Sequence, residues 1–304
     1  MEKIFEAKHF FETFTEFYKT SDTGQFPNRL NNRYLALIEN NKKIISNSSI
    51  LDIASHDGRW SFAALKNGAS KVIGIEAKEN LVKNSHKNME FYRIPKEKYH
   101  FIKGNVFNEI QKIQPKTVDV VFCFGIFYHI MNHMFLLKEI KKLQPKYLIL
   151  DTAVNHSEQP VILIKKEDSK KESSGIQSDF SSDSNIVVGW PSKSALELML
   201  KSLGFEFQYY HWHDMRITNW EHIMDYKNNA RVTLVAQNLT DSSKTTEWES
   251  LDETSKIKKL ENSIEKQKNT IEVLQKSIFA IQNSFTWRTL TKLDKFRRKF
   301  YSLK

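Results

Sequence analysis

From residue 46 onward, short apolar runs alternate with stretches of helical periodicity, and this alternation organises the chain. Ile50-Leu51-Asp52-Ile53 is apolar apart from one carboxylate, the pattern of a strand buried on both faces. A small, polar turn occupies 54–58, and Arg59-Trp60-Ser61-Phe62-Ala63-Ala64-Leu65 opens a helix. A second strand over 71–75 ends on Glu76, and a helix is expected over 81–89. The third strand, 99–103, runs into Gly104-Asn105-Val106-Phe107. The fourth, 118–124, is almost wholly apolar and belongs at the centre of the sheet. It leads through Gly125-Ile126-Phe127-Tyr128-His129-Ile130 to a helix ending at Leu143, and 147–151 is the fifth strand. Strands alternating with helices predict an α/β fold with a doubly wound, mostly parallel sheet. Runs at 205–212 and 231–237 alternate with period two and close the sheet as a long-looped hairpin.

The flanks follow other patterns. Residues 4–18 carry Phe5, Phe10, Phe11, Phe14, Phe17 and Tyr18 at the spacing of an amphipathic helix, and 28–40 reads as helix again. This N-terminal extension, 1–45, is expected to pack on the sheet. The other reading is a lid, with Arg29, Arg33 and Tyr34 near a pocket. The stretch 165–186 is rich in Ser, Asp and Lys with few apolar anchors, and a mobile insertion is expected there. Ser192 caps a helix that Gly204 stops. Residues 239–256 read as a polar linker. Beyond it Ile257, Leu260, Ile264, Gln267, Ile271, Leu274, Ile278, Ile281 and Phe285 recur at spacings of three and four, which predicts a coiled coil over 257–285. It implies self-association or a helical partner; a single helix lying back on the domain is the alternative.

Composition bounds the function. The 304 residues suffice for one substantial domain and an appendage, and 40% apolar residues with 21 Phe supply a core. The single cysteine, Cys123, excludes a disulfide framework and points to a reducing, cytoplasmic setting. Neither a secretion signal nor a run of about 18 apolar residues is present, so no membrane span is expected. The net charge of +10 is concentrated: residues 286–304 hold seven basic side chains against Asp294 alone, a net +6. Interleaved with Trp287, Leu290, Leu293, Phe296, Phe300 and Tyr301, they read as a basic amphipathic tail on an anionic membrane surface. The remaining chain is only modestly basic, which makes nucleic acid the less favoured partner.

The turn at 54–58 and Glu76, 24 positions after Asp52, form a strand–turn–helix–strand–acid unit suited to a nucleoside. A carboxylate at the second strand's tip can accept both ribose hydroxyls. The glycine falls at 58, with Arg at 59, which disfavours a dinucleotide fingerprint. Ala54, His56 and Gly58 resemble instead the GxGxG loop of class I S-adenosylmethionine (SAM) methyltransferases. LDIASHDGRWSFAA followed by GIFYHIMNH is similar to a branch holding wobble-uridine tRNA-modifying enzymes and methyltransferases of surface-glycan gene clusters. Ser284-Phe285-Thr286-Trp287-Arg288-Thr289 resembles the S-x-S-W-R-x-T tail found after coiled coils in surface-glycan enzymes.

The resemblance covers about 46–238 and implies a Rossmann-like sheet of seven strands with the last antiparallel. It implies SAM as cofactor, with Asp52, Ala54, His56 and Gly58 on its methionine side and Glu76 on the ribose. Asn105 and Val106 would flank the adenine, and Phe124 and Gly125 would lie beneath the sulfonium. A hydroxyl acceptor needs a base, and His129, just past the fourth strand, is the expected one; a rim histidine bound to backbone is the other reading. Tyr128, His156, Arg216, Trp220 and His222 are candidate substrate contacts. His129 with His133, or His211 with His213, have metal-pair spacing, but no third ligand accompanies either, so no metal is expected. The function expected is O-methylation of a surface-glycan or glycolipid intermediate. The alternatives are a tRNA wobble-uridine modifier and a non-catalytic coiled-coil scaffold with a degenerate domain.

Overall fold

In the computed structural model, β1 (Ser49–Ile53) lies between two parallel neighbours, β2 (Lys71–Glu76) and β4 (Val120–Phe124). The described residues are 10–172, 174–175, 185–215, 217–239, 264–265 and 268–277. With β3 (Tyr99–Lys103), β5 (Tyr147–Ala153), β8 (Phe205–Tyr209) and β9 (Arg231–Asn238), they build a seven-stranded sheet ordered β3-β2-β1-β4-β5-β9-β8. β9 pairs antiparallel with both β5 and β8, so the last strand is the reversed one, as expected. Side chains alternate across the strands. Leu51, Ile53, Val121 and Cys123 enter one core, with Leu136, Leu137 and Leu196 from covering helices. Ile50, Val120 and Phe122 enter the other, with Trp60 and Phe62.

The N-terminal aromatics complete that second core. Phe11 and Phe17 are fully buried, and Phe11 meets Trp60 edge-on at 5.7 Å. The expected single helix over 4–18 is not what residues 10–18 adopt, and 1–9 lie outside the described residues. Phe10–Thr13 is one helical turn and Thr15–Tyr18 a 3-10 turn. Asn31 Oδ1 accepts from the Phe11 amide and Tyr92 Oη from the Glu16 amide, so partners elsewhere satisfy N–H groups that a longer helix would bond internally. The helix Pro27–Leu37 follows, with Pro at its first position.

The expectation of a mobile insertion over 165–186 needs correcting at both ends. β6 (Ile162–Asp168) and β7 (Asn185–Pro191) form an antiparallel ribbon, with Ile162 opposite Pro191 and Asp168 opposite Asn185. Ile164 is largely exposed, so burial of β6 does not hold the ribbon. β7 anchors it, through buried Ile186 and Val188 and the Gly189 amide donating to the Ile130 carbonyl. Past β6, Lys78 Nζ donates to the carbonyls of Lys171, Glu172 and Ser174 at 2.9, 2.6 and 2.9 Å. Polar ties replace the missing apolar anchors. Residues 176–184 lie outside the described set.

The chain divides into two compact units, Met1–Asp241 and Ser242–Lys304. In the second, 264–265 and 268–277 are helical, with Ile264, Ile271 and Leu274 exposed. The rest of the expected coiled coil, the tail 286–304 and all but residue 239 of the linker lie outside the described residues.

Candidate functional site

The loop between β1 and the helix Arg59–Lys66 turns through three residues of positive φ: Ala54 at 56°, His56 at 54° and Gly58 at 79°. Side chains with a Cβ avoid this region at a cost of about 1–2 kcal/mol each. The backbone therefore follows a glycine-loop path although two of its glycines are replaced. Packing enforces that path. The Ser55 amide donates to the Ile75 carbonyl at 2.9 Å, and the His56 amide donates to Glu76 Oε2 at 3.0 Å. Asp57, wholly buried, receives Arg59 Nε at 2.6 Å and Thr20 Oγ1 at 2.6 Å. Burial alone would raise the Asp57 carboxyl, but Arg59 and His56 outweigh it and hold it well below the usual range.

Below the loop, Asp52 accepts from Ser61 Oγ at 2.6 Å, while its Oδ1 has no hydrogen-bond partner among the described residues. Burial, aided by the Glu76 and Asp57 charges and opposed by Ser61, pushes Asp52 up to about 7. Asp52, on β1, and Gly58, in the loop itself, do not line the cavity, unlike the other residues expected on the cofactor. Their part is to shape the turn.

That cavity, about 900 Å³, opens at the carboxyl ends of the parallel strands and is lined by Ala54, His56, Glu76, Asn105, Val106, Phe124 and Gly125. Its size falls among small-molecule sites. Glu76 accepts from the Lys78 amide through Oε1 at 2.8 Å and from the His56 amide through Oε2 at 3.0 Å. Two backbone donors fix the carboxylate, and each oxygen retains acceptor capacity. Asn105 Oδ1 accepts from the Phe107 amide at 3.0 Å, which holds its side chain at the cavity wall. Gly125 sits at φ 83°, and a Cβ built there would meet nothing within 4 Å. His56 Nε2 has no hydrogen-bond partner among the described residues and lies 3.8 Å from Glu172 Oε1. An oriented carboxylate and an open glycine around one cavity suit an adenosyl amino acid.

The cavity's other wall carries Tyr128, His129, Arg29, Arg33 and Arg231. His129 Nδ1 lies 2.7 Å from Glu167 Oε2, which also accepts from the Gly175 amide at 3.3 Å. Sequence reasoning missed Glu167, because it sits in a polar stretch with no pattern to distinguish it. Arg231 was missed too, although a charge opening the apolar run Val232-Thr233-Leu234-Val235 is the same signal that marked Asp52. Its partner Asp151 is wholly buried, and Arg33 and Arg231 outweigh the cost of burial to hold it at about 2.

Other candidates fall elsewhere. His156 lines a separate shallow groove with Lys193 and Glu197, not the main cavity. The His222 ring meets Phe26 at a tilt, with centroids 4.6 Å apart, and its carbonyl accepts from Arg29 Nη1, while Trp220 packs beside His213 and Tyr226. Neither lines the cavity: this loop buttresses Arg29 through Asp225, so its apolar side chains turn inward. Arg216 lies outside the described residues. His133 Nε2 meets the Gly189 carbonyl at 3.0 Å and is buried, whereas His129 Nδ1 meets Glu167.

A doubly wound sheet with its last strand reversed, a glycine-type turn after β1 and an acid ending β2 define a class I SAM-dependent methyltransferase. The chain belongs to the methyltransferase-domain family, whose family model matches residues 44–231. It is 27% identical over 165 residues to the tRNA U34 carboxymethyltransferase of Alteromonas mediterranea, covering 52% of this chain and 45% of that one. It is 34% identical over 90 residues to a protein of Methanocaldococcus jannaschii provisionally named a ribosomal RNA large subunit methyltransferase, covering 30% and 22%. The chain thus spans less than half the length of these curated relatives. Among solved structures, the N-terminal domain of EvdMO1 with S-adenosylhomocysteine (SAH) and D-fucose aligns at TM-score 0.48 and 15% identity, covering 76% of this chain and 83% of that one.

Proposed function

We propose that the domain transfers a methyl group from SAM to an oxygen of a surface-glycan or glycolipid intermediate, with His129 as general base. The observation that carries the reading is the 2.7 Å pairing of His129 Nδ1 with Glu167 Oε2 at the cavity. An ionised carboxylate only accepts, so the proton is held on Nδ1 and Nε2 keeps its lone pair for a hydroxyl. Glu167 then stabilises the imidazolium formed as that hydroxyl gives up its proton. Bound SAM supplies a methyl on a cationic sulfonium, an already activated leaving group, so alignment is what remains for the protein. Glu76 would hold the ribose, Asn105 and Val106 would flank the adenine, and Ala54 and His56 would border the methionine. Phe124 and Gly125 would form the floor under the reacting centre, and Tyr128 its acceptor-side wall.

The coiled coil over 257–285 sets the oligomer, and the tail 286–304 holds the enzyme at the inner membrane face beside its acceptor. Both rest on spacing and charge. Among the described residues no helix is long and apolar enough to cross a membrane, so a surface contact is the form of attachment proposed. The second reading, a tRNA modifier, rests on what the Alteromonas relative's name says of that protein.

Methyl-labelled SAM, incubated with the full chain and either a cell-envelope glycan fraction or total tRNA, tests the choice. Label is expected in the glycan fraction and lost with His129→Gln, while calorimetric SAH affinity is retained. Label in tRNA would replace the acceptor, and absence of SAH binding would end the enzyme reading.

A further inference from the structure

Arg29, Arg33 and Arg231 all line the cavity, and the carboxylates paired with them are Asp151 and Asp225. Three guanidinium groups against two carboxylates leave one positive charge in excess. The bonding is crowded on the acidic side. Arg33 Nη2 and Arg231 Nη1 donate to the same oxygen, Asp151 Oδ1, at 2.9 and 2.8 Å. Its other oxygen accepts from Tyr226 Oη and Thr233 Oγ1, each at 2.8 Å. Arg29 grips both oxygens of Asp225 at 2.8 Å, and Arg231 Nε adds a bond to Oδ2 at 3.0 Å.

A donor remains on the basic side: Arg33 Nε is buried with no hydrogen-bond partner among the described residues. Arg231 is only 7% exposed and Asp151 is fully enclosed, so water screens the excess charge poorly. Two guanidinium groups converging on one oxygen repel each other, and the single carboxylate they share offsets that repulsion only in part.

The excess charge also lies near the base. The Arg231 guanidinium sits 4.8 Å from the Tyr128 ring, whose centroid is 4.0 Å from that of His129. The geometry points to an oxyanion subsite for the methyl acceptor: a carboxylate or phosphate on the acceptor bridges Arg33 and Arg231. Tyr128 walls it, and a neighbouring hydroxyl is presented to His129. This rests on the reading of His129 as base given above. It restricts the acceptor to acidic sugars or phosphorylated intermediates, because a neutral sugar leaves the guanidinium pair unbalanced. The planar fork of arginine matches such groups with two parallel bonds.

The test uses the full chain saturated with SAH and titrated with glucuronate, glucose 6-phosphate and glucose. A saturable rise in Tm of about 2–4 °C is expected for one or both anions and none for glucose. Arg33→Gln should abolish that rise with SAH affinity changed by less than about threefold. Arg33→Lys, which keeps the charge but loses the fork, should retain part of it and serves should the Gln variant not fold. Equal responses to glucose and the anions, or an anion response that survives Arg33→Gln, would overturn the proposal. So would a loss of about tenfold or more in SAH affinity with 5′-methylthioadenosine unaffected, since the pair would then hold the cofactor's own carboxylate. An unaltered chain that binds no SAH would instead overturn the enzyme reading itself, together with this one.

Discussion

Asp52 is a carboxyl on β1 with Ser61 as its hydrogen-bond partner, and among the described residues its Oδ1 is unmatched. Held at about 7 by burial, it keeps its proton in the folded chain where the unfolded chain has released it near 3.8. Between those values the folded state binds the extra proton, so stability falls as pH rises. The slope contributed is at most about 1.4 kcal/mol per pH unit. Denaturant titrations from pH 4.5 to 7 should show it in the parent and not in Asp52→Asn. The turn above offers the opposite kind of substitution. Ala54 at φ 56° carries backbone strain that glycine would not, so Ala54→Gly should raise stability by roughly 0.5–1 kcal/mol. Thermal melting checks it, and a loss of stability would mean that the Ala54 methyl packs better than its backbone suffers. Asp52 and Glu76 were legible in sequence because a charge inside an apolar run is conspicuous. Asp52 was nevertheless misplaced, since strand position says nothing of whether a side chain faces the cavity or the layer beneath.

At the scale of elements, the ribbon β6–β7 brings Glu167 to His129, and Lys78 secures the chain just beyond it. Glu167→Ala removes the acceptor at Nδ1. The neutral His129 ring should then shift from the Nδ1–H tautomer to the commoner Nε2–H form, visible in nitrogen NMR without knowledge of the acceptor. An unchanged tautomer would remove Glu167 from the orienting role. Lys78→Met deletes three bonds to carbonyls, so amide exchange over 170–175 should accelerate while the sheet core holds its protection. The N-terminal aromatics are a core element, while Arg29 and Arg33 of the same extension, though not Tyr34, line the cavity. Phe11→Ala, at a fully enclosed site, should cost about 3–5 kcal/mol by denaturant melting. The parallel strands themselves, and the fourth as a central one, were readable because such strands are continuous apolar runs. The ribbon was not: Ile162 and Ile164 stay exposed, and its ties to Lys78 depend on tertiary position, which local composition does not encode.

On the scale of the whole molecule, charge and chemistry are segregated along the chain. The sheet, both cores and the cavity belong to the unit Met1–Asp241, while residues 286–304 carry six of the ten net positive charges. Each basic residue near an anionic bilayer contributes about 1 kcal/mol, and interfacial aromatics add to it. Deleting 242–304 should therefore leave SAH affinity within about twofold, because the cavity-lining residues among those described are all retained. The same deletion should abolish co-sedimentation with anionic vesicles and leave neutral vesicles indifferent. High salt should weaken binding of the full chain, as screening shortens the reach of the tail's charges. Vesicle binding that persisted in the truncated chain would move the contact onto the catalytic unit. The tail would then need another partner, and the acceptor's delivery would have to be explained from the cavity rim.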